Sequence, residues 1–264
     1  MKLDCKTINE TGMGQIYKYS EGEKQNYSKY SDEDKKVWRL LYDHQLPQLP
    51  DSASDEFLRG LLRINFMDGN IPQFEDMNKR LKSFTGWEVV VVPGLIADDV
   101  FFNLLKNKKF PASTWVRKLS ELDYLEEPDM FHDVFAHVPL LTNQSFVDYL
   151  QELSRIALKF ISNPWAIEVL SRIYWFTVEF GLIEEKNITR IYGAGILSSK
   201  GETEYCLSDK AKRYPFNVSQ IMHTDYRKDV FQSQYWIVNS YEQLFHSIPE
   251  IEKVLNEMVL EVKK

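Results

Sequence analysis

Two histidines, His132 and His137, stand five residues apart in the segment Pro128-Asp129-Met130-Phe131-His132-Asp133-Val134-Phe135-Ala136-His137-Val138-Pro139. Neutral imidazole nitrogen suits iron, zinc, copper and nickel, so such a pair is a common start to a metal site. The spacing sets a condition. On a regular helix, residues four apart share a face, whereas residues five apart lie about 140° round from each other. Both rings reach one ion only if the helix is distorted or if His132 sits in its first turn. Otherwise one ring is hydrogen-bonded in the core and the other faces solvent. Glu179 bears on the choice, because it lies in an apolar stretch among Trp175, Phe176, Val178, Phe180 and Leu182. A carboxylate there must be paired, protonated or bound to metal. A salt bridge to Arg155 or Arg172 would satisfy it. Two histidines and one carboxylate are also the facial triad of non-haem Fe(II) oxygenases, which leaves positions open for O2 and water. A zinc hydrolase, with Asp133 or another acid as general base, is the rival metal chemistry.

These residues need helices to hold them. Ser31-Asp32-Glu33-Asp34 ahead of Val37, Trp38, Leu40, Leu41 and Tyr42 reads as a capped helix that Pro47 ends. Ser54-Asp55-Glu56-Phe57 starts a short one, and Phe74 to Leu81 forms another, stopped near Gly86. Trp87 to Val92 is the best strand candidate, closed by Pro93-Gly94. Asp98–Lys106 and Ser145–Ile161 carry apolar residues at helical spacing, and Pro164–Phe180 is apolar nearly all round, as a buried helix is. Short extended pieces are expected at Tyr205-Cys206-Leu207 and Tyr235–Val238, and an amphipathic helix at Ile251–Lys264. Residues 1–26 read as a flexible lead-in. With no repeat or linker in view, residues 27–264 read as one domain, mainly α with minor β.

Composition narrows the functional classes. The 264 residues are 44% hydrophobic, ample for a core, and 14% aromatic, so a ring-lined site is plausible. Lys and Arg total 32 against 39 Asp and Glu, a net charge of −7 that argues against a phosphate-backbone binder. The two cysteines, Cys5 and Cys206, are too few for a disulfide framework and fit a reducing compartment. The first residues have no apolar signal region, and no run approaches the ~20 apolar residues of a membrane span. A cytoplasmic protein with no nucleic-acid or membrane partner is expected.

Four stretches carry a resemblance: IPQFEDMNKRL with TGWEVVVVPGLI (71–96), EEPDMFHDVFAHVPLL (126–141), IYWFTVEFGL (173–182) and YGAGILSSKGETEYCLS (192–208). In order and spacing they resemble the catalytic domain of the pterin-dependent aromatic amino acid hydroxylases, most closely its short bacterial members that act on phenylalanine. The resemblance implies a single-domain helical basket around Fe(II), with His132, His137 and Glu179 as ligands. It also implies tetrahydropterin as co-substrate, lying against Phe101, with the backbone of Gly94, Leu95 and Ile96 at its ring edge and the acids Asp133 and Glu202 nearby. Read as residues alone, Phe101 would be ordinary core packing. Arg117 matches a clamp for the substrate carboxylate, braced by Asp129; the alternative is a surface ion pair. Pro128, His132, Trp175 and Phe180 would surround the substrate ring, and Gly195 and Ser198 would close the pocket. Tyr226 matches a tyrosine near the site, in a positioning role. The Tyr192-Gly193-Ala194-Gly195 turn is no dinucleotide loop, since Ser198 stands where a third glycine would be.

The implied reaction takes L-phenylalanine, O2 and reduced pterin to L-tyrosine. Trp175 favours phenylalanine or tyrosine over tryptophan as substrate, and Lys228 departs from the apolar group usual near the position that tunes the first two. A hydroxylase of the same family acting on Tyr or Trp is the first alternative, and a metallohydrolase or an inactive metal-binding member the more distant ones. No regulatory domain and no tetramer-forming coiled coil are expected, hence a monomer.

Overall fold

The computed structural model of the chain describes residues 15–122 and 127–262. Local caps set the helix starts. Ser31 accepts from the Asp34 N–H while the Asp34 carboxylate accepts the Ser31 N–H at 2.8 Å, a reciprocal cap that opens α1 (Asp32–Gln45). After the single turn α2 (Leu49–Ser52), Ser54 caps α3 (Asp55–Arg63), and α4 (Phe74–Phe84) follows. α5 is Asp98–Lys106, and Asn143 caps α6 (Gln144–Lys159). Asn163 and Pro164 open α7 (Pro164–Tyr174), with proline in the first turn, where its missing N–H costs nothing. The remaining helices are α8 (Ala194–Leu197), α9 (Lys200–Cys206), α10 (Val218–Met222), α11 (Tyr241–His246) and α12 (Ile248–Val262). None of the described helices is long and apolar enough to cross a membrane.

Two small sheets complete the architecture, which is mainly helical as the sequence predicts. β1 (Glu88–Val91) pairs in parallel with β2 (Lys109–Ala112). β3 (Gly181–Glu185), β4 (Ile188–Ile191), β5 (Lys212–Pro215) and β6 (Gln234–Val238) form the second sheet in the order β4-β3-β6-β5. The core runs through both halves of the chain. Phe131 and Phe135, fully buried, stack at 4.6 Å and meet Trp38, Tyr42 and Phe57 edge-on.

Several elements differ from the sequence expectation. Tyr205-Cys206-Leu207 is not extended: Tyr205 and Cys206 end α9, because the Ser199 side chain caps the Glu202 N–H and Glu202, Thr203 and Cys206 bury one helical face. The buried helix predicted over 164–180 becomes a π-helical turn at Trp175–Glu179, with Phe180 N–H donating to the Trp175 carbonyl five residues back at 2.8 Å. The β3–β4 hairpin turns on Lys186 and Asn187, both at positive φ, without the Asn-Gly signature that would have announced it. Of the lead-in expected over 1–26, residues 1–14, including Cys5, lie outside the described residues. The rest is tied down. Tyr17 N–H donates to the Leu95 carbonyl at 2.7 Å, and the Gln25 amide bonds both the Pro72 carbonyl and the Phe74 N–H.

Candidate metal centre and aromatic pocket

The distortion that the histidine spacing requires is present. Phe131–Ala136 is a π-helical turn, whose i→i+5 hydrogen bonding brings residues five apart one above the other. It buries Phe131, Val134, Phe135 and Ala136 while His132 and His137 project to one side. Their Nε2 atoms lie 3.2 Å apart. Glu179, at the end of the second π turn, completes the group: its Oε2 is 3.4 Å from His132 Nε2 and its Oε1 is 3.3 Å from His137 Nε2. Among the described residues this is the cluster of donor atoms able to hold a metal. Neither arginine considered for Glu179 reaches it, since Arg155 pairs with Glu152, and Arg172 with Glu168 and Asp225.

The protonation pattern suits a metal. Burial drives His132 down to about 4, outweighing the attraction of Glu179, so the ring is neutral near pH 7. Its Nδ1 lies 2.9 Å from Ser198 Oγ, whose own proton goes to the Ala194 carbonyl at 2.9 Å. The hydroxyl therefore accepts from Nδ1–H, and the Nε2 lone pair is left facing His137 and Glu179. Ser198, predicted only to close the pocket, is thus the group that fixes the His132 tautomer. Burial would raise Glu179, but the two imidazoles and the Gly195 N–H hold it below its ordinary value, so it is a carboxylate. Burial pushes Asp133 up to about 7, opposed by the Ser113 N–H that its Oδ2 accepts at 2.7 Å.

Arg117 and Asp129 do not form a surface pair. Arg117 is 7% exposed and Asp129 fully buried. Oδ2 accepts from Arg117 Nε at 2.9 Å and from the Arg117 backbone N–H at 3.0 Å. Oδ1 accepts from Nη2 at 2.9 Å and from the His132 N–H at 3.1 Å. One carboxylate thus locks the guanidinium to the backbone of a cluster histidine. A further bond runs from Nη1 to the Leu122 carbonyl, which leaves two of the five guanidinium N–H groups without a partner among the described residues.

An aromatic wall stands beside Glu179. Trp175 has Phe180 at 4.6 Å on one side and Tyr226 stacked at 4.3 Å on the other. Tyr226 donates its hydroxyl proton to Ser171 Oγ at 3.1 Å and stacks on Trp175, so it props that indole and makes no hydrogen bond to the histidine–glutamate group. Gly195 has to be glycine, because a Cβ there would sit 2.7 Å from Phe180 Cζ. Pro128 is half-buried directly before Asp129.

The two acids that the resemblance groups near the pterin have different partners. Asp133 is tied to Ser113 at the end of β2, and β2 lies against the strand that leads into Gly94, Leu95 and Ile96. Phe101, half-buried, meets Tyr174 edge-on at 5.7 Å on α7, just before Trp175. Glu202 is held from the other part of the chain. Its Oε1 accepts from Tyr235 OH at 2.5 Å and from the Gln232 N–H at 3.1 Å, and Gln232 in turn holds Trp175, so Glu202 backs the aromatic wall. The sequence reading missed Gln232, whose only local signal is a polar residue next to a strand.

Residues 6–261 match the family described as biopterin-dependent aromatic amino acid hydroxylase. A phenylalanine-4-hydroxylase of Ralstonia nicotianae is 49% identical over 218 residues, 82% of this chain and 69% of the relative. One of Chromobacterium violaceum is 48% identical over 222 residues, 84% of this chain and 74% of the relative. A crystal structure of the latter organism's phenylalanine hydroxylase, with bound iron(III) and 7,8-dihydrobiopterin, superposes with a TM-score of 0.84 at 46% identity, covering 90% of this chain and 85% of that one.

Proposed function

The chain belongs to the biopterin-dependent aromatic amino acid hydroxylases, and from that premise we propose that it hydroxylates L-phenylalanine to L-tyrosine with Fe(II), O2 and a tetrahydropterin. The observation that carries the reading is the convergence of His132, His137 and Glu179, with a neutral first histidine and an ionised glutamate. This donor set fits Fe(II). Two neutral imidazoles and one carboxylate leave one net positive charge on the ion and leave coordination positions open. When bound, iron and reduced pterin together supply the activation of O2.

The protein's own contribution is orientation and exclusion of water. Ser198 keeps the His132 lone pair turned toward the ion by accepting from Nδ1–H. Arg117, rigid on Asp129, offers its two spare N–H groups to the substrate carboxylate in a planar fork. Trp175 and Phe180 form one wall for the substrate ring, with Pro128 and His132 opposite. Gly94, Leu95 and Ile96 would read the pterin ring edge by backbone groups, Phe101 would stack on its face, and Asp133 is the acid on that side. An offset ring stack is worth ~0.5–1.5 kcal/mol beyond burial. Free, buried Cys206 supports a reducing, cytoplasmic setting, and a monomer completes the proposal.

Anaerobic Fe(II) reconstitution followed by O2 and tetrahydropterin, with Phe, Tyr or Trp offered in turn, tests the reading. Tyrosine should form from Phe, and His137→Ala or Glu179→Ala should lose both iron and turnover. A metal-analysed His137→Ala protein that still makes tyrosine refutes the site.

A further inference from the structure

Gln232 is a buried glutamine that no step above uses, and every polar group of its side chain is spent. Oε1 accepts from Trp175 Nε1 at 2.9 Å, and Nε2 donates to the Arg227 carbonyl at 2.8 Å and the Val230 carbonyl at 3.2 Å. The amide orientation is forced, because an indole N–H only donates and carbonyls only accept. Its backbone N–H, bonded to Glu202, anchors the residue to α9. The consequence falls on Trp175. Stacking on Tyr226 restrains the indole against tilting but leaves it free to slide in its plane. The hydrogen bond at Nε1 removes that freedom.

We propose that Gln232 is the positioning residue of the aromatic wall: by fixing the Trp175 indole it decides how large a ring the site hydroxylates. The inference rests on the reading that Trp175 and Phe180 line the substrate pocket. With Nε1 tethered, the indole is held at one place along the Tyr226 ring as a boundary of the substrate pocket. Released, it can slide in its own plane along the Tyr226 ring and leave room for an indole. The same amide fastens the loop that carries Lys228, so the residue that departs from the family's usual apolar group is held in register with the wall it follows.

A double-mutant cycle with Gln232→Leu and Trp175→Phe, in iron-loaded full-length protein, tests this. The quantity read is the ratio of kcat/KM for phenylalanine to that for tryptophan. Gln232→Leu should lower it at least about tenfold in the wild-type background, the size expected for one lost buried hydrogen bond. In the Trp175→Phe background, where no indole remains to hold, the same change should move it less than about twofold. Independently of turnover, the Trp175 indole N–H resonance, assigned by its loss in Trp175→Phe, should shift in Gln232→Leu. Equal effects in both backgrounds, or an unchanged ratio in Gln232→Leu, overturn the inference. If the wild-type protein makes no tyrosine from phenylalanine, the underlying reading of the site fails instead.

Discussion

Asp129→Asn isolates the carboxylate that joins the substrate clamp to the metal cluster. Asp129 accepts four hydrogen bonds, two at Oδ1 (Arg117 Nη2 and the His132 N–H) and two at Oδ2 (Arg117 Nε and the Arg117 N–H). An asparagine of the same shape offers one oxygen and one NH2. Whichever way the amide turns, one pair of donors then faces a donor, so two of the four bonds are lost. Bonds to a charged group are worth ~1.5–3 kcal/mol each. Breaking a buried ion pair by removing one partner costs ~3–5 kcal/mol. The two figures agree on a loss of about 3–5 kcal/mol, against a total stability of ~5–15 kcal/mol for a typical domain. At ~2–4 °C per kcal/mol for a domain of this size, Tm should fall by roughly 6–20 °C. The guanidinium also loses its bidentate hold, so KM for phenylalanine should rise more than about tenfold. Calorimetry and steady-state tyrosine formation measure the two effects. A variant with Tm within about 2 °C of wild type and an unchanged KM would show that the pair neither stabilises the fold nor orients the arginine.

Gly195→Ala places a Cβ 2.7 Å from Phe180 Cζ, so the ring must move, at a cost of ~1–3 kcal/mol. KM for phenylalanine should rise while iron content holds; a fall in stability with KM unchanged would detach Phe180 from the pocket. Burial lifts the Glu202 carboxyl above its ordinary value, although the Tyr235 hydroxyl and Gln232 N–H pull it down. The folded state therefore keeps this proton to higher pH than the unfolded chain, and stability is lost as pH rises from the ordinary carboxylate value through the raised one. Glu202→Gln preserves an oxygen for both donors and removes that loss. Its stability relative to wild type should increase as pH rises from the ordinary carboxylate value through the raised one, and a flat difference contradicts the assignment. Burial also pushes the Cys206 thiol well above its usual range. Mass spectrometry should find it alkylated by iodoacetamide in urea but not in the native protein; rapid native labelling would contradict its burial.

What could be read in advance was local or strongly patterned. Ser31, Ser54 and the Asn163-Pro164 pair mark helix starts because capping acts within three or four residues. Glu179 was recognisable because a carboxylate amid large apolar side chains has few stable fates. The π turns were not, since wide i→i+5 bonding has no composition of its own; only the awkward histidine spacing implied one. Gln232 was invisible because its partner Trp175 is 57 residues away. The depth of the Arg117–Asp129 pair was equally hidden, since packing of the whole chain sets burial. The bonds from Gln232 and Tyr235 to Glu202 were hidden for the same reason, since they span 30 and 33 residues.

The turn at Phe131–Ala136 has a meaning for descent. An α-helical histidine pair four apart and this pair five apart differ by one inserted residue, and no exchange of side chains converts one into the other. Point substitutions between His132 and His137 therefore sample packing but never register. Losing a single codon in that interval would leave both histidines in the chain, four apart on a regular helical turn, and would shift the backbone that follows by one residue relative to Glu179. Substitution scans will undervalue the segment, and the length between its two histidines is the quantity that inheritance has to preserve.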